Sequence, residues 1–76
     1  MRITVKIYAD LREYTDGEGT ISLGFAEKTR IRDITRYLKI PEKTIKIIML
    51  NGRRAGPDAV VHDGDRVALF PPIAGG

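Results

Sequence analysis

The sequence predicts an α+β fold: a mixed sheet of four to five strands packed on one helix. Three observations carry that prediction. Apolar and polar residues alternate near both ends of the chain, at Ile3, Val5 and Ile7 and again at Val67 and Leu69. That is the period-two pattern of strands with one buried face. Between them the period lengthens, because Ile31, Ile34 and Leu38 fall at i, i+3 and i+7, one stripe of a helix. Finally, Asn51-Gly52 follows a β-branched apolar run and is a strong signal for a tight hairpin.

Taken in order, residues 2–8 read as the first strand. Asp16-Gly17-Glu18-Gly19 is a turn cluster, with glycine supplying positive φ at little cost. Ile21, Leu23 and Phe25 alternate again as a second strand, so an N-terminal hairpin closes over a long loop at residues 10–18. The helix of about three turns starts with Thr29 as its cap and stops before Pro41. Residues 45–50 form a third strand, and Asn51-Gly52 turns it through a type I′ geometry into a short strand at Arg53-Arg54. Turns at Gly56-Pro57-Asp58 and Asp63-Gly64-Asp65 precede the last strand, Arg66–Phe70. The order β-β-α-β-β-β is the β-grasp, or ubiquitin-like, arrangement. It is expected to occupy residues 1–76 as one domain with a flexible tail at 71–76.

Composition removes several kinds of chemistry. The 76 residues include no cysteine, so no disulfide, thiolate nucleophile or cysteine-bound zinc can form. His62 is the only histidine, and Asp63 and Asp65 around Gly64 lack the spacing of a calcium loop, so no metal site is expected. No Ser/His/Asp or Cys/His set and no phosphate-binding glycine loop is present. The alternating start is neither a signal peptide nor a membrane span, which makes a cytoplasmic protein with no membrane partner the expectation. Charge is uneven: residues 28–54 hold nine basic side chains against two acidic ones. This stretch fits a solvated helix face, or a surface for an acidic partner or a nucleic-acid backbone. With aromatic residues at 7% and no stacking platform on basic strands, no nucleic acid is expected.

The remaining chemistry is at the end of the chain, Phe70-Pro71-Pro72-Ile73-Ala74-Gly75-Gly76. Two prolines fix φ and remove two donors, so the last strand must stop there. Gly75 and Gly76 lack Cβ and can thread a narrow channel, bringing the terminal carboxylate to another protein's active site. A carboxylate is a poor acyl donor until it is activated, typically as an adenylate. Strand parity adds a surface near the tail's root. If Val67 and Leu69 face the helix, Phe70 and Arg66 face away, as does Tyr8 if Ile7 faces in. Lys46 facing water sends Ile48 and Leu50 outward. Tyr8, Ile48 and Phe70, rimmed by Lys46, Arg54 and Arg66, then form the expected partner-binding patch.

Three stretches carry a family resemblance: Val5-Lys6-Ile7-Tyr8-Ala9-Asp10-Leu11-Arg12-Glu13, then Leu50-Asn51-Gly52, then Asp63 through Gly76. In these the chain resembles the MoaD/ThiS family of ubiquitin-like sulfur carriers. The Ala9-Asp10-Leu11-Arg12-Glu13 opening and the Phe-Pro-Pro-x-x-Gly-Gly ending are closest to the small subunit of molybdopterin synthase. The resemblance implies a carrier that is not itself an enzyme and binds no cofactor. An E1-like adenylating enzyme would use ATP to activate Gly76, and a persulfide or desulfurase-type donor would convert the adenylate to a thiocarboxylate. A large synthase subunit would then receive the sulfur on a pterin precursor, for a molybdenum or tungsten cofactor. A thiamine-type carrier and a ubiquitin-like protein modifier share the activation and differ in the acceptor.

Overall fold

The computed structural model describes residues 1–72. They form β1 (Arg2–Ile7), β2 (Thr20–Gly24), α1 (Ile31–Tyr37), β3 (Ile47–Leu50), β4 (Arg53–Ala55) and β5 (Arg66–Phe70). One mixed sheet runs in the order β2-β1-β5-β3-β4, as the β-grasp reading expects. The last strand is thus central, parallel to β1 on one side and antiparallel to β3 on the other. No helix among the described residues is long and apolar enough to cross a membrane.

Alternation places Ile3, Val5, Ile7, Val67 and Leu69 on one face of the sheet, where Ile31 and Ile34 of α1 meet them. Each of these is 2% exposed or less, and burying one such side chain is worth about 1.5–3 kcal/mol. The helix is shorter than its apolar stripe predicts. It begins at Ile31 with Arg30 in the capping position, where the Asp33 carboxylate accepts the Arg30 backbone N–H at 2.9 Å. Thr29 is not the cap, because its hydroxyl donates to the Ala26 carbonyl at 2.7 Å. After Leu38, Lys39 turns left-handed at φ 60, which ends the helix two residues before Pro41 and returns Ile40 to the core. Arg32 pairs with Asp58 at 2.6 Å and Glu42 at 3.7 Å, so part of the basic middle segment ties the helix to neighbouring turns.

The long loop after β1 is ordered as a 3₁₀ segment, Ala9–Thr15, that drops Leu11 into the core. The Asn51-Gly52 turn has φ of 52 and 83, matching the type I′ requirement for two positive values. Asn51 also does long-range work. Its amide donates to the Asp65 carboxylate at 2.9 Å, and its side-chain oxygen accepts the Arg66 N–H at 2.9 Å. The other Asp65 oxygen accepts the His62 N–H at 2.7 Å, and the Asp65 carbonyl accepts the Thr4 N–H at 3.0 Å. This polar knot fastens the β3–β4 hairpin to the turn that feeds β5 and to β1.

The Asn51 amide holds the Asp65 carboxyl below its ordinary range, helped by the His62 N–H and opposed by partial burial. A lowered carboxyl pKa stabilises the fold above the unfolded value of about 4, and that contribution is lost as pH falls through the lowered value. Asn51→Ala should cost about 1–2 kcal/mol at neutral pH, read by denaturant titration. In thermal melts between about pH 2 and pH 7, Asp65→Asn should show a shallower loss of stability on the acid side than the native chain. Equal acid slopes would remove Asp65 from the pH response.

Candidate functional site

The site grows out of β5. Val67 and Leu69 point into the core at 0% exposure, so Arg66, Ala68 and Phe70 must occupy the opposite face. The Phe70 ring stacks on Tyr8, centroids 4.4 Å apart and planes 9° from parallel. The register sets Phe70 beside Ile47 of β3. Tyr8 itself is fixed from behind, its N–H donating to the Leu69 carbonyl at 3.2 Å. Tyr8, Ile47 and Phe70, with Pro71 and Pro72, line an open apolar groove of about 490 Å³ at the point where the tail leaves the sheet.

Ile48 does not belong to this patch. It is 8% exposed and sits beside Leu69 and Ala55, within the core. The expectation failed because Lys46 precedes the first residue of β3. At the end of a strand a long side chain reaches water whichever way it starts, so parity counted from Lys46 carries no information. Leu50 likewise packs against the core, and Ile47 takes the outer position. A signal for this was available: a two-residue turn at Asn51-Gly52 pairs Ile48 with Ala55 and Met49 with Arg54, and the apolar pair belongs inside.

Arg54 and Arg66 lie on the outer face as expected. The row across the sheet is Thr20, Lys6, Ala68, Met49, Arg54, and Arg66 stands beside Thr4 in the next row. Lys6, Arg54 and Arg66 make none of the ion pairs found among the described residues, so the apolar groove has a basic flank free to meet an acidic partner. A second groove, about 470 Å³, runs on the other side of the tail's root between Asp10, Glu13, Tyr14 and Lys43. Tyr14 and Tyr37 are both exposed, and Tyr37 meets Phe25 edge to face. No group of three or more metal-ligating side chains occurs among the described residues. Of the tail positions, Pro71 and Pro72 form the groove's end wall, while Ile73, Ala74, Gly75 and Gly76 lie outside the described residues.

Comparison with known proteins places this geometry. The model of the ThiS family matches residues 5–76, whereas no curated protein matches the chain. A candidate molybdopterin converting factor subunit 1 from Pyrococcus furiosus shares 26% identity at a TM-score of 0.79, with 96% of this chain and 99% of that one covered. The small archaeal modifier protein 1 from Methanosarcina acetivorans also shares 26% identity, at a TM-score of 0.71 and coverage of 99% and 96%. A chain in the complex of subunits 1 and 2 of the molybdopterin-converting factor from Helicobacter pylori has the same fold, with 20% identity, a TM-score of 0.65 and full coverage of both chains.

Side chains one residue apart in the sheet should therefore answer differently to truncation. Ile48→Ala should cost about 3 kcal/mol of stability through the cavity it leaves. Phe70→Ala should cost only about 1 kcal/mol, chiefly the stacking with Tyr8. Urea titration of the two variants measures both; a loss at Phe70 as large as that at Ile48 would make Phe70 a core residue.

Proposed function

The chain belongs to the ThiS family of ubiquitin-fold sulfur carriers, and from that premise we propose that its working group is the carboxylate of Gly76. Proteins of this kind are substrates and partners of enzymes, not enzymes, so the reactive chemistry comes from outside. The single observation that carries the reading is the position of the last strand. It is held between two others, and its end delivers the tail next to the Tyr8–Phe70 groove. The groove and the basic side chains Arg54 and Arg66 serve as the docking surface, and the tail as the reacting arm.

In this reading an E1-like adenylating enzyme binds ATP, and a Gly76 carboxylate oxygen attacks the α-phosphorus with loss of pyrophosphate. The terminal sulfur of a donor's persulfide attacks the acyl carbon, and AMP leaves. A second donor thiol then cleaves the acyl disulfide, becoming oxidised to a disulfide itself and releasing the thiocarboxylate. This chain supplies the acyl group, the unhindered glycine carbon and the recognition surface; ATP is used by the partner and no cofactor is held. The acceptor we favour is a pterin precursor on a large synthase subunit, for a molybdenum or tungsten cofactor. Support comes from the Phe70-Pro71-Pro72 ending and the likeness to the Pyrococcus protein. A second reading, conjugation of Gly76 to lysines of other proteins, is favoured by the equal identity to the Methanosarcina modifier.

Intact-mass spectrometry of the chain incubated with its activating enzyme, ATP and a sulfur donor tests the proposal. Exchange of one terminal oxygen for sulfur is expected, and deletion of Gly76 should abolish it. Phe70→Ala should slow loading at least about tenfold, the effect of losing roughly 1.4 kcal/mol of docking energy, with its melting temperature lowered by about 4–8 °C, as a stability cost of about 1 kcal/mol implies for a domain of this size. Ladders of conjugates in cell extract without any thiocarboxylate would favour the modifier. An unaltered mass under every condition would defeat both readings.

A further inference from the structure

The two edges of the sheet differ. The β4 edge is three residues long and carries Arg53 and Arg54, the kind of charge that discourages strand addition. The β2 edge, Thr20-Ile21-Ser22-Leu23-Gly24, has no charge and no proline, and its register with β1 runs unbroken without a bulge. Among the described residues nothing but β1 pairs with it.

The hydrogen bonds show which backbone groups point outward. Met1 and Phe25 exchange N–H and carbonyl at 2.9 Å in both directions, and the Ile7 N–H donates to the Gly19 carbonyl at 2.9 Å. In an antiparallel ladder bonded and non-bonded pairs alternate. The bonded pairs are therefore Ile3 with Leu23 and Val5 with Ile21, and the N–H and carbonyl groups of Thr20, Ser22 and Gly24 face the open edge. Beneath that edge, half-buried Ile21 and Leu23 continue the apolar inner face. Tyr37, 64% exposed, extends it by leaning on Phe25 with ring centroids 5.6 Å apart.

We propose that this edge pairs with the same edge of a second copy of the chain, antiparallel and centred on Ser22. The strand is self-complementary in that register. Ser22 meets Ser22, Thr20 meets Gly24, and the outward groups of both copies are all used, three N–H donors from each. Ile21 falls opposite Leu23 of the second copy at the closer, non-bonded positions, so the two apolar rows join on the inner face. On the outer face Thr, Ser and Gly residues meet directly, with the Arg2 guanidinium lying beside Gly24. A foreign strand could use the same backbone groups, but the match of sizes about Ser22 is a property of two identical strands.

The product is a continuous ten-stranded sheet with both outer faces on one side. Since β1 separates β5 from the junction, both Tyr8–Phe70 grooves stay open and the two copies of β5 run in opposite directions. A single short strand pair lies at the weak end of protein association, so a Kd on the order of 100 µM is expected.

Sedimentation equilibrium over a wide concentration range, with amide hydrogen exchange at each concentration, tests the pairing. The native chain should approach twice its monomer mass, with exchange at Thr20, Ser22 and Gly24 slowing as concentration rises. Ser22→Pro removes the central donor, which faces away from β1, at an edge position that tolerates proline. Ser22→Lys sets two cations against each other. Both should stay monomeric, and Ser22→Lys should melt close to the native chain, which keeps the test valid if Ser22→Pro folds poorly. A native chain that remains monomeric, or a dimer that survives in Ser22→Lys, would overturn the proposal. So would protection of these three amides only when an unrelated β-forming peptide is added.

Discussion

Everything else in this protein depends on the insertion of its last strand between its first and third. Until β5 arrives, β1–β2 and β3–β4 are two separate hairpins, neither with enough apolar surface to persist alone. The parallel pairing of Val5 with Val67 and Ile7 with Leu69 joins them and closes the core over Ile31 and Ile34. Such pairing brings together residues some sixty positions apart, an unfavourable closure that must be met by contacts made at the same moment. The polar knot of Asn51 and Asp65 fixes the register of that pairing. The tight turn offers a side-chain amide to the Asp65 carboxylate and a side-chain oxygen to the Arg66 N–H, so the first residues of β5 are tied to the β3–β4 hairpin.

Central placement also divides labour within single strands. In β5, Val67 and Leu69 belong to the core while Arg66 and Phe70 face outward. In β3, Ile48 is inside and Ile47 and Met49 are outside. Neighbouring residues thus serve stability and recognition in alternation, and the recognition surface inherits the rigidity of the sheet that carries it. Tyr8 is the clearest case: its N–H is held within the sheet by the Leu69 carbonyl while its ring covers Phe70 on the outer face.

Much of this was legible in the residues. Element order, the type I′ turn, the inward Val67 and Leu69 and the outward Phe70 follow from periods and turn chemistry alone. Three features did not. The helix cap went to Arg30 and Asp33 because a carboxylate reaching back to a backbone N–H does the work of a capping hydroxyl, and Thr29 was engaged elsewhere. The 3₁₀ segment at residues 9–15 is too short and tightly wound to leave an amphipathic stripe, and Ala9 enters it at φ 54, which alanine composition does not announce. Ile48 lies inside because the neighbouring turn pairs it with Ala55, whereas Lys46, ahead of the strand's first residue, reaches water from either face. The role given to Gly76 comes from the residues that end the chain and the family they resemble, since that residue lies outside the described structure.

The end of β5 has a directional consequence. The Phe70 carbonyl accepts the Lys46 N–H at 2.8 Å, and the next residue is a proline with no donor, so the sheet cannot zip one residue further in either direction. The sheet's grip on the chain therefore ends at one fixed residue, and past it the direction of the backbone is set by the restricted φ of Pro71 and Pro72 and not by hydrogen bonding. The end wall of the groove is thus made of two residues that the sheet itself cannot hold.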